Sequence, residues 1–332
     1  MPFTLQRPTP AADPLPLFSS EGASRLARFV PPFQFTSFFS PEDTLLCVLA
    51  AEGALAAVQG VGGAAREAPH VVELTAGSGL VGLRLLELAP AATLLGVDVD
   101  PAAPPVARRN AAVLGVADRA EFRELSVLDA SCEALLAERP IDVLICNPPY
   151  IPEPPGVPLA VEAGSGADGA AHLRRVAELA GRVRPRTVAL SWCSLGDPVG
   201  VVGAMEQAGY RLDALDVVAI ADGEYSGMVQ RYLETLPTAF LNAGAATRHA
   251  LAGDGAARFG YVLLAGVWRR STAEDAAASS AAPAVARLMR GFGRDGLPAL
   301  AHQRVPFAYR AWMLDRWDEL ALRAMLHGPL RA

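Results

Sequence analysis

Lysine is absent from this 332-residue chain: all 29 basic residues are arginine. No Schiff-base or general-base lysine can therefore operate, whatever the chemistry. Positive charge is also in short supply. Against 35 acidic residues the arginines leave a net charge of -6, the wrong sign for affinity built on neutralising many phosphates. Nucleic acid is disfavoured rather than excluded, because a local basic patch can sit within an acidic total.

Cysteine is scarce and unpaired. Cys47, Cys132, Cys146 and Cys193 stand far apart without a C-x-x-C pair, so they read as small buried hydrophobes in a reducing compartment. The histidines, from His70 to His327, are scattered, and no metal-ligand spacing results. No uninterrupted apolar run reaches membrane length, and the opening MPFTLQRPTPAADPLP lacks the charged and apolar regions of a signal peptide. The expectation is a soluble cytoplasmic protein with no membrane partner. What is abundant is apolar residue, at 52%, which suffices for a sizeable core and excludes disorder throughout.

Residues 1–40 are rich in proline and phenylalanine, which predicts an extended N-terminal arm. Ser40-Pro41-Glu42-Asp43 then opens a helix, with Ser40 as N-cap and Pro41 at the first helical position, running to about Gln59. Apolar runs at 70–74, 93–98, 120–126, 141–146, 187–192, 212–220 and 259–268 read as strands, with helical patterns between the first five. That alternation predicts an α/β fold, a doubly wound, seven-stranded, mostly parallel sheet whose last strand is an antiparallel insertion. The expected organisation is a domain over 41–270 with an insertion at 222–258, then a linker over 271–284 and a helical extension within 271–332. On that last helix Tyr309, Trp312, Met313, Trp317, Leu320 and Ala324 share one face. No internal repeat is evident.

The chemistry sits at three strand ends. The first strand delivers Glu73-Leu74-Thr75-Ala76-Gly77-Ser78-Gly79 into a helix, a turn that lets a ligand approach the backbone at a helix N-terminus. Taken alone, with Gly82 in the third position, the glycine pattern also permits a dinucleotide. The next strand ends in Asp98-Val99, with Asp98 twenty-five residues after Glu73, where a carboxylate can accept both hydroxyls of a ribose. The fourth strand ends in Asn147-Pro148-Pro149-Tyr150. Two prolines remove two donors and leave carbonyls free to accept, beside an Asn side-chain oxygen and a tyrosine ring. Such a set receives a planar group bearing NH2, whose two hydrogens go to the amide and a carbonyl while the ring stacks on its plane.

Asn147-Pro-Pro-Tyr, with Glu73 and Ala76-Gly77-Ser78-Gly79 upstream, resembles the class I S-adenosylmethionine-dependent methyltransferases that modify planar nitrogen. The longer string to Ile151-Pro152, followed by Gly166-Ala-Asp168-Gly169, is similar to the HemK-like methyltransferases, which act on a glutamine of release factors; Ser40-Pro41-Glu42-Asp43-Thr44 occupies the place of that family's proline-rich helix start. The resemblance implies S-adenosyl-L-methionine as cofactor. It implies that Glu73, Thr75, Ala76, Gly77, Ser78 and Gly79 hold its methionine part, Asp98 and Val99 its ribose side, and Leu128 and Asp129 its adenine, with Asn147 at the junction. Asn147, Pro148, Pro149 and Tyr150 would bind the acceptor, and no metal is called for. Asp129 is equally placed to cap a helix. Thr75 stands where a glycine is usual, and the 222–258 and C-terminal segments exceed the family's pattern. The implied partner is a protein, of the release-factor or ribosome-associated class. An adenine or guanine amine in RNA or DNA, or a small metabolite, remains the alternative. Oligomeric state is not legible.

Overall fold

The computed structural model describes residues 15–16, 40–60, 68–220, 261–273, 275 and 279–313 except 296, 302 and 303, together with 229, 231–233, 235 and 236. Most of the N-terminal arm, most of the 222–258 insertion and everything beyond Met313, including Trp317, Leu320 and Ala324, lie outside the described residues.

Among the described residues nine strands form one sheet: β1 (Leu15–Pro16), β2 (His70–Leu74), β3 (Thr93–Asp98), β4 (Ala120–Glu124), β5 (Val143–Cys146), β6 (Thr187–Cys193), β7 (Tyr210–Ile220), β8 (Tyr261–Arg270) and β9 (Ala308–Met313). Their spatial order is β1-β9-β7-β8-β6-β5-β2-β3-β4. β2 pairs in parallel with both β3 and β5, and β6 continues the parallel run. β8 then inserts antiparallel between β6 and β7. The doubly wound, mostly parallel sheet with an antiparallel last insertion is the expected fold; the strand count is nine where seven were expected.

The α-helices with described bounds are α1 (Pro41–Gly60), α2 (Leu80–Leu88), α3 (Ala103–Val113), α4 (Ala130–Leu136), α5 (Ala171–Val183), α6 (Pro198–Gln207), α7 (Ala282–Asp295) and α8 (Leu297–Ala301). α1 begins as its sequence dictates: the Asp43 amide donates to Ser40 Oγ at 3.3 Å, an N-cap bond to the third helical residue. Alone among the described helices, α1 is long and apolar enough to cross a bilayer, yet its apolar stretch is 67% buried in the protein. Leu45, Leu46, Cys47 and Ala54 are almost fully enclosed, and Thr187 on β6 donates to the Ala54 carbonyl at 3.2 Å. Burial of each such leucine contributes roughly 1.5–3 kcal/mol.

Two expectations for the C-terminal part are corrected. The 271–284 stretch is not merely a linker: Asp275 pairs with Arg211 at 2.8 Å and with Arg269 at 3.0 Å, and α7 starts at Ala282. Tyr309, Trp312 and Met313 lie on β9, parallel to β7, rather than on a helix. The period-2 reading wins because Arg310 and Trp312 must share a face. Asp216 on β7 is 1% exposed, and Arg310 grips it with two bonds of 2.7 and 2.8 Å while Trp312 Nε1 donates at 2.8 Å. Aromatic residues also favour strands. Arg310→Ala leaves that carboxylate short of a charge partner. Breaking a fully buried pair costs ~3–5 kcal/mol; half of Arg310 is exposed, so the expected loss is on the order of 2 kcal/mol, read as a lower urea midpoint at unchanged slope.

Within the parallel part of the sheet, the chain reverses its direction of growth at β2. From β2 it builds outward through β3 and β4, then returns to lay β5 on the other side of β2. Ligands of open α/β sheets bind outside the carboxyl ends of the strands at such a switch. The Glu73–Gly79 turn leaves one side of it and Asn147 the other.

Candidate active site at the switch point

The turn after β2 is built from left-handed residues. Thr75, Gly77 and Gly79 have φ of 54°, 50° and 73°, and Gly79 then serves as the N-cap of α2. At Gly79 a Cβ would lie 2.9 Å from the Phe122 ring, so glycine is needed there for space as well as for φ. Three bonds fasten the turn: Ala76 N–H to the Val97 carbonyl at 2.9 Å, Gly77 N–H to Asp98 Oδ2 at 2.7 Å, and Asn110 Nδ2 to the Ser78 carbonyl at 2.9 Å. Asn110, buried on α3, was not singled out by sequence reasoning. Its signal is a lone amide between Ala107 and Ala111 on an otherwise apolar stripe.

Glu73 does not face outward. It is 4% exposed, and its Oε2 accepts the Gly82 N–H in the first turn of α2 at 3.0 Å. Burial pushes this carboxyl up from 4.5 to about 8. A raised carboxyl stabilises the fold in its neutral form, fully below pH 4.5, and that contribution is lost as pH rises through about 8. Asp43, moved from 3.8 to about 6 by burial, acts in the same sense over a lower window. The expected result is that Glu73→Gln gains stability relative to the parent as pH rises from ~5 to ~8, measured by urea unfolding at both values. A difference that is flat with pH would contradict the neutral buried carboxyl.

Asp98 closes β3. Its Oδ1 accepts the Asp100 N–H at 2.9 Å and its Oδ2 the Gly77 N–H, and each oxygen keeps a second lone pair for a ribose hydroxyl. Burial raises its carboxyl. Beyond it, Val99 follows β3 and Leu128 follows β4, and their apolar side chains are 48% and 50% exposed. Asp129 occupies the N-cap position of α4 but its side chain makes no capping bond. Its carboxylate is thus not spent on the helix.

Across the switch, Asn147, Pro148, Pro149 and Tyr150 follow β5. Asn147 Oδ1 is buried and accepts no hydrogen bond from the described residues. Tyr150 is 8% exposed, and its hydroxyl donates a hydrogen bond to Asp43 Oδ1. Burial pushes that phenol well above its ordinary value. Tyr150 is therefore fixed by α1, and Asp43, read from sequence only as a helix-start acid, is its anchor. The following loop is braced in turn: Ser165 N–H bonds the Ile151 carbonyl at 3.0 Å, and a Cβ on Gly169 would lie 2.6 Å from the Tyr150 carbonyl. Asp168 grips Arg174 at 2.6 and 3.1 Å just ahead of α5.

The four cysteines are free and buried; burial pushes Cys47 and Cys193 up to about 12, so neither supplies a thiolate nucleophile. Among the described residues no cluster of His, Cys, Asp or Glu could hold a metal ion.

Residues 63–156, the span that carries the turn, Asp98 and Asn147–Tyr150, match the family model of the methyltransferase small domain. A release factor glutamine methyltransferase of Cereibacter sphaeroides is 34% identical over 46% of this chain and 56% of its own length. That of Rhodospirillum rubrum is 41% identical over 30% of this chain and 27% of its own. The tRNA1(Val) (adenine(37)-N6)-methyltransferase of Porphyromonas gingivalis is 35% identical over 24% of this chain and 32% of its own. The chain thus spans from about a quarter to just over half the length of these relatives. Among solved structures, geranyl diphosphate methyltransferase in complex with SAM matches 81% of this chain and all of its own, at 13% identity and a TM-score of 0.40. The resemblance read from Asn147-Pro-Pro-Tyr and the Glu73–Gly79 turn is borne out by the family model and the sequence relatives.

Proposed function

We propose that this protein is a soluble, cytoplasmic S-adenosylmethionine-dependent methyltransferase that methylates a planar NH2-bearing nitrogen, a glutamine side chain of a protein in the first instance. One observation carries the acceptor class: Asn147 Oδ1, buried and without a donor among the described residues. A buried acceptor left unpaired costs ~1–3 kcal/mol, a cost offset when an N–H donor arrives. The cofactor fits the other half of the site: left-handed glycines admit it close to the backbone, Asp98 retains lone pairs for its ribose, and Val99 and Leu128 flank a flat ring.

When bound, the cofactor supplies an electrophilic methyl group. The chain's residues then work by placement. Asn147 Oδ1 and the Pro148 carbonyl take the two N–H groups of the acceptor and turn its lone pair toward the Glu73–Gly79 side of the switch. The rigid prolines hold that geometry, charge developing on nitrogen is stabilised by the same two oxygens, and one of the two N–H protons they hold then leaves to solvent, giving the neutral N-methyl product. Tyr150, locked to Asp43, bounds the acceptor's plane. No lysine or thiolate is required.

The named activities of the relatives divide between a protein amide and an adenine amine, and both present NH2 to the same acceptors. The net charge of -6 favours the protein. Labelled methyl from the cofactor, offered with a bacterial lysate fractionated into protein, nucleic acid and small molecules, decides the matter. Label in protein, on glutamine, is the expected result; label in RNA, with activity falling steeply as salt rises, would overturn the protein reading.

A further inference from the structure

Thr75 opens the cofactor turn, yet its side chain serves the other side of the switch. Its hydroxyl proton is shared between two carbonyls, Leu74 at 2.6 Å and Asn147 at 3.2 Å, and its oxygen lies 3.6 Å from the Cys146 thiol. Leu74 belongs to its own strand, but Asn147 ends the neighbouring one, so the bond bridges β2 to β5 where ligand geometry is decided.

The backbone makes this contact conspicuous. Thr75 and Arg184 are the non-glycine residues of positive φ among those described. Arg184 caps the C-terminus of α5 in the left-handed conformation, an ordinary place for it. Thr75 caps nothing, and a β-branched residue at φ 54° is strained. Glycine would adopt that conformation freely. Such strain persists where the surroundings over-determine it and gathers at functional sites. What threonine offers in place of glycine is a hydroxyl, and here the hydroxyl reaches Asn147.

We propose that Thr75 is a positioning residue for the acceptor group: by holding the Asn147 main-chain carbonyl it fixes the peptide from which the unpaired Asn147 Oδ1 projects. The consequence for catalysis rests on the methyl-transfer reading above; the link itself does not. Cofactor affinity is then set by the rest of the turn, and acceptor alignment by Thr75.

The test uses the full chain and four proteins: the parent, Thr75→Ser, Thr75→Ala and Thr75→Gly, the last keeping the backbone conformation accessible. The Asn147 side-chain amide resonance, identified by its loss in Asn147→Asp, should stay in place in Thr75→Ser and shift or broaden in Thr75→Ala and Thr75→Gly. Calorimetric titration with S-adenosylmethionine should show a smaller change in Kd across the four than the change in transfer at saturating cofactor. Transfer to a glutamine-containing peptide should fall about tenfold in the Ala and Gly variants, the equivalent of one ordinary hydrogen bond, and recover in Thr75→Ser. An Asn147 resonance unmoved in folded Ala and Gly variants overturns the proposal, as does a tenfold loss of cofactor affinity without a change in transfer at saturation. A parent that neither binds the cofactor nor transfers methyl overturns the proposed function instead, and the amide resonance still decides the Thr75 link.

Discussion

Asn147→Ala is expected to lower methyl transfer by ~10²–10³-fold at saturating cofactor, the range seen when one preorganised polar group at a reacting centre is removed, with little change in cofactor Kd. The separation follows from where the atoms are. Asn147 Oδ1 is a buried acceptor without a donor among the described residues, whereas the bonds that shape the turn after β2 come from Val97, Asp98 and Asn110. Truncation also spares the fold: an atom that makes no hydrogen bond within the described residues leaves none broken. Thermal melting within a degree or two of the parent, combined with a large loss of transfer, is the expected pattern. Full retained activity would show that the acceptor is bound elsewhere.

Asp98→Ala is expected to do the reverse. Hydrogen bonds to a charged group are worth ~1.5–3 kcal/mol, so losing the carboxylate should raise the cofactor Kd by ~10–150-fold, measured by calorimetry. Part of that loss is indirect, because Asp98 Oδ2 also holds the Gly77 N–H at 2.7 Å and Oδ1 the Asp100 N–H. Asp98→Asn keeps one acceptor oxygen and should fall between. Transfer at saturating cofactor should change far less than in Asn147→Ala. Unchanged affinity in Asp98→Ala would remove the ribose role.

The places of these two residues at strand ends were legible in the sequence because each combines a residue type with the end of an apolar run. Asp98 closes an apolar run, and Asn147 precedes two prolines that cannot continue a ladder. β2 and β3 begin and end where their apolar runs do, β2 buried throughout and β3 at every position but its two ends, as near-continuous apolar runs of parallel strands are. Three things were not legible. Glu73 has the right place for a ligand group, but only the packing shows that its carboxyl turns inward to Gly82. The Asp43–Tyr150 bond joins residues 107 positions apart, a pairing no local pattern encodes. The stretch at 308–313 satisfies a helical stripe and a strand alternation at once; Asp216, a buried charge on a distant strand, selects the strand. In each case long-range partnership, not local propensity, made the choice.

Tyr150 shows how the two halves of the site depend on α1. Its ring bounds the proposed acceptor position, and its hydroxyl is committed to Asp43 on a helix that also packs on β6. The acceptor side is thus anchored through the core while the cofactor side is anchored through α2 and α3. Thr75 is a direct tie between them.

The central claim is that a methyl group passes to the nitrogen of a planar NH2 group held by Asn147. Its most direct test is to incubate the protein with deuterium-labelled S-adenosylmethionine and a glutamine-containing peptide, then locate the label by tandem mass spectrometry in parent and Asn147→Ala reactions. Label on the side-chain nitrogen of glutamine is expected, formed by the parent and nearly absent with the variant. Label on carbon, oxygen or sulfur, or equal labelling by both proteins, would contradict it.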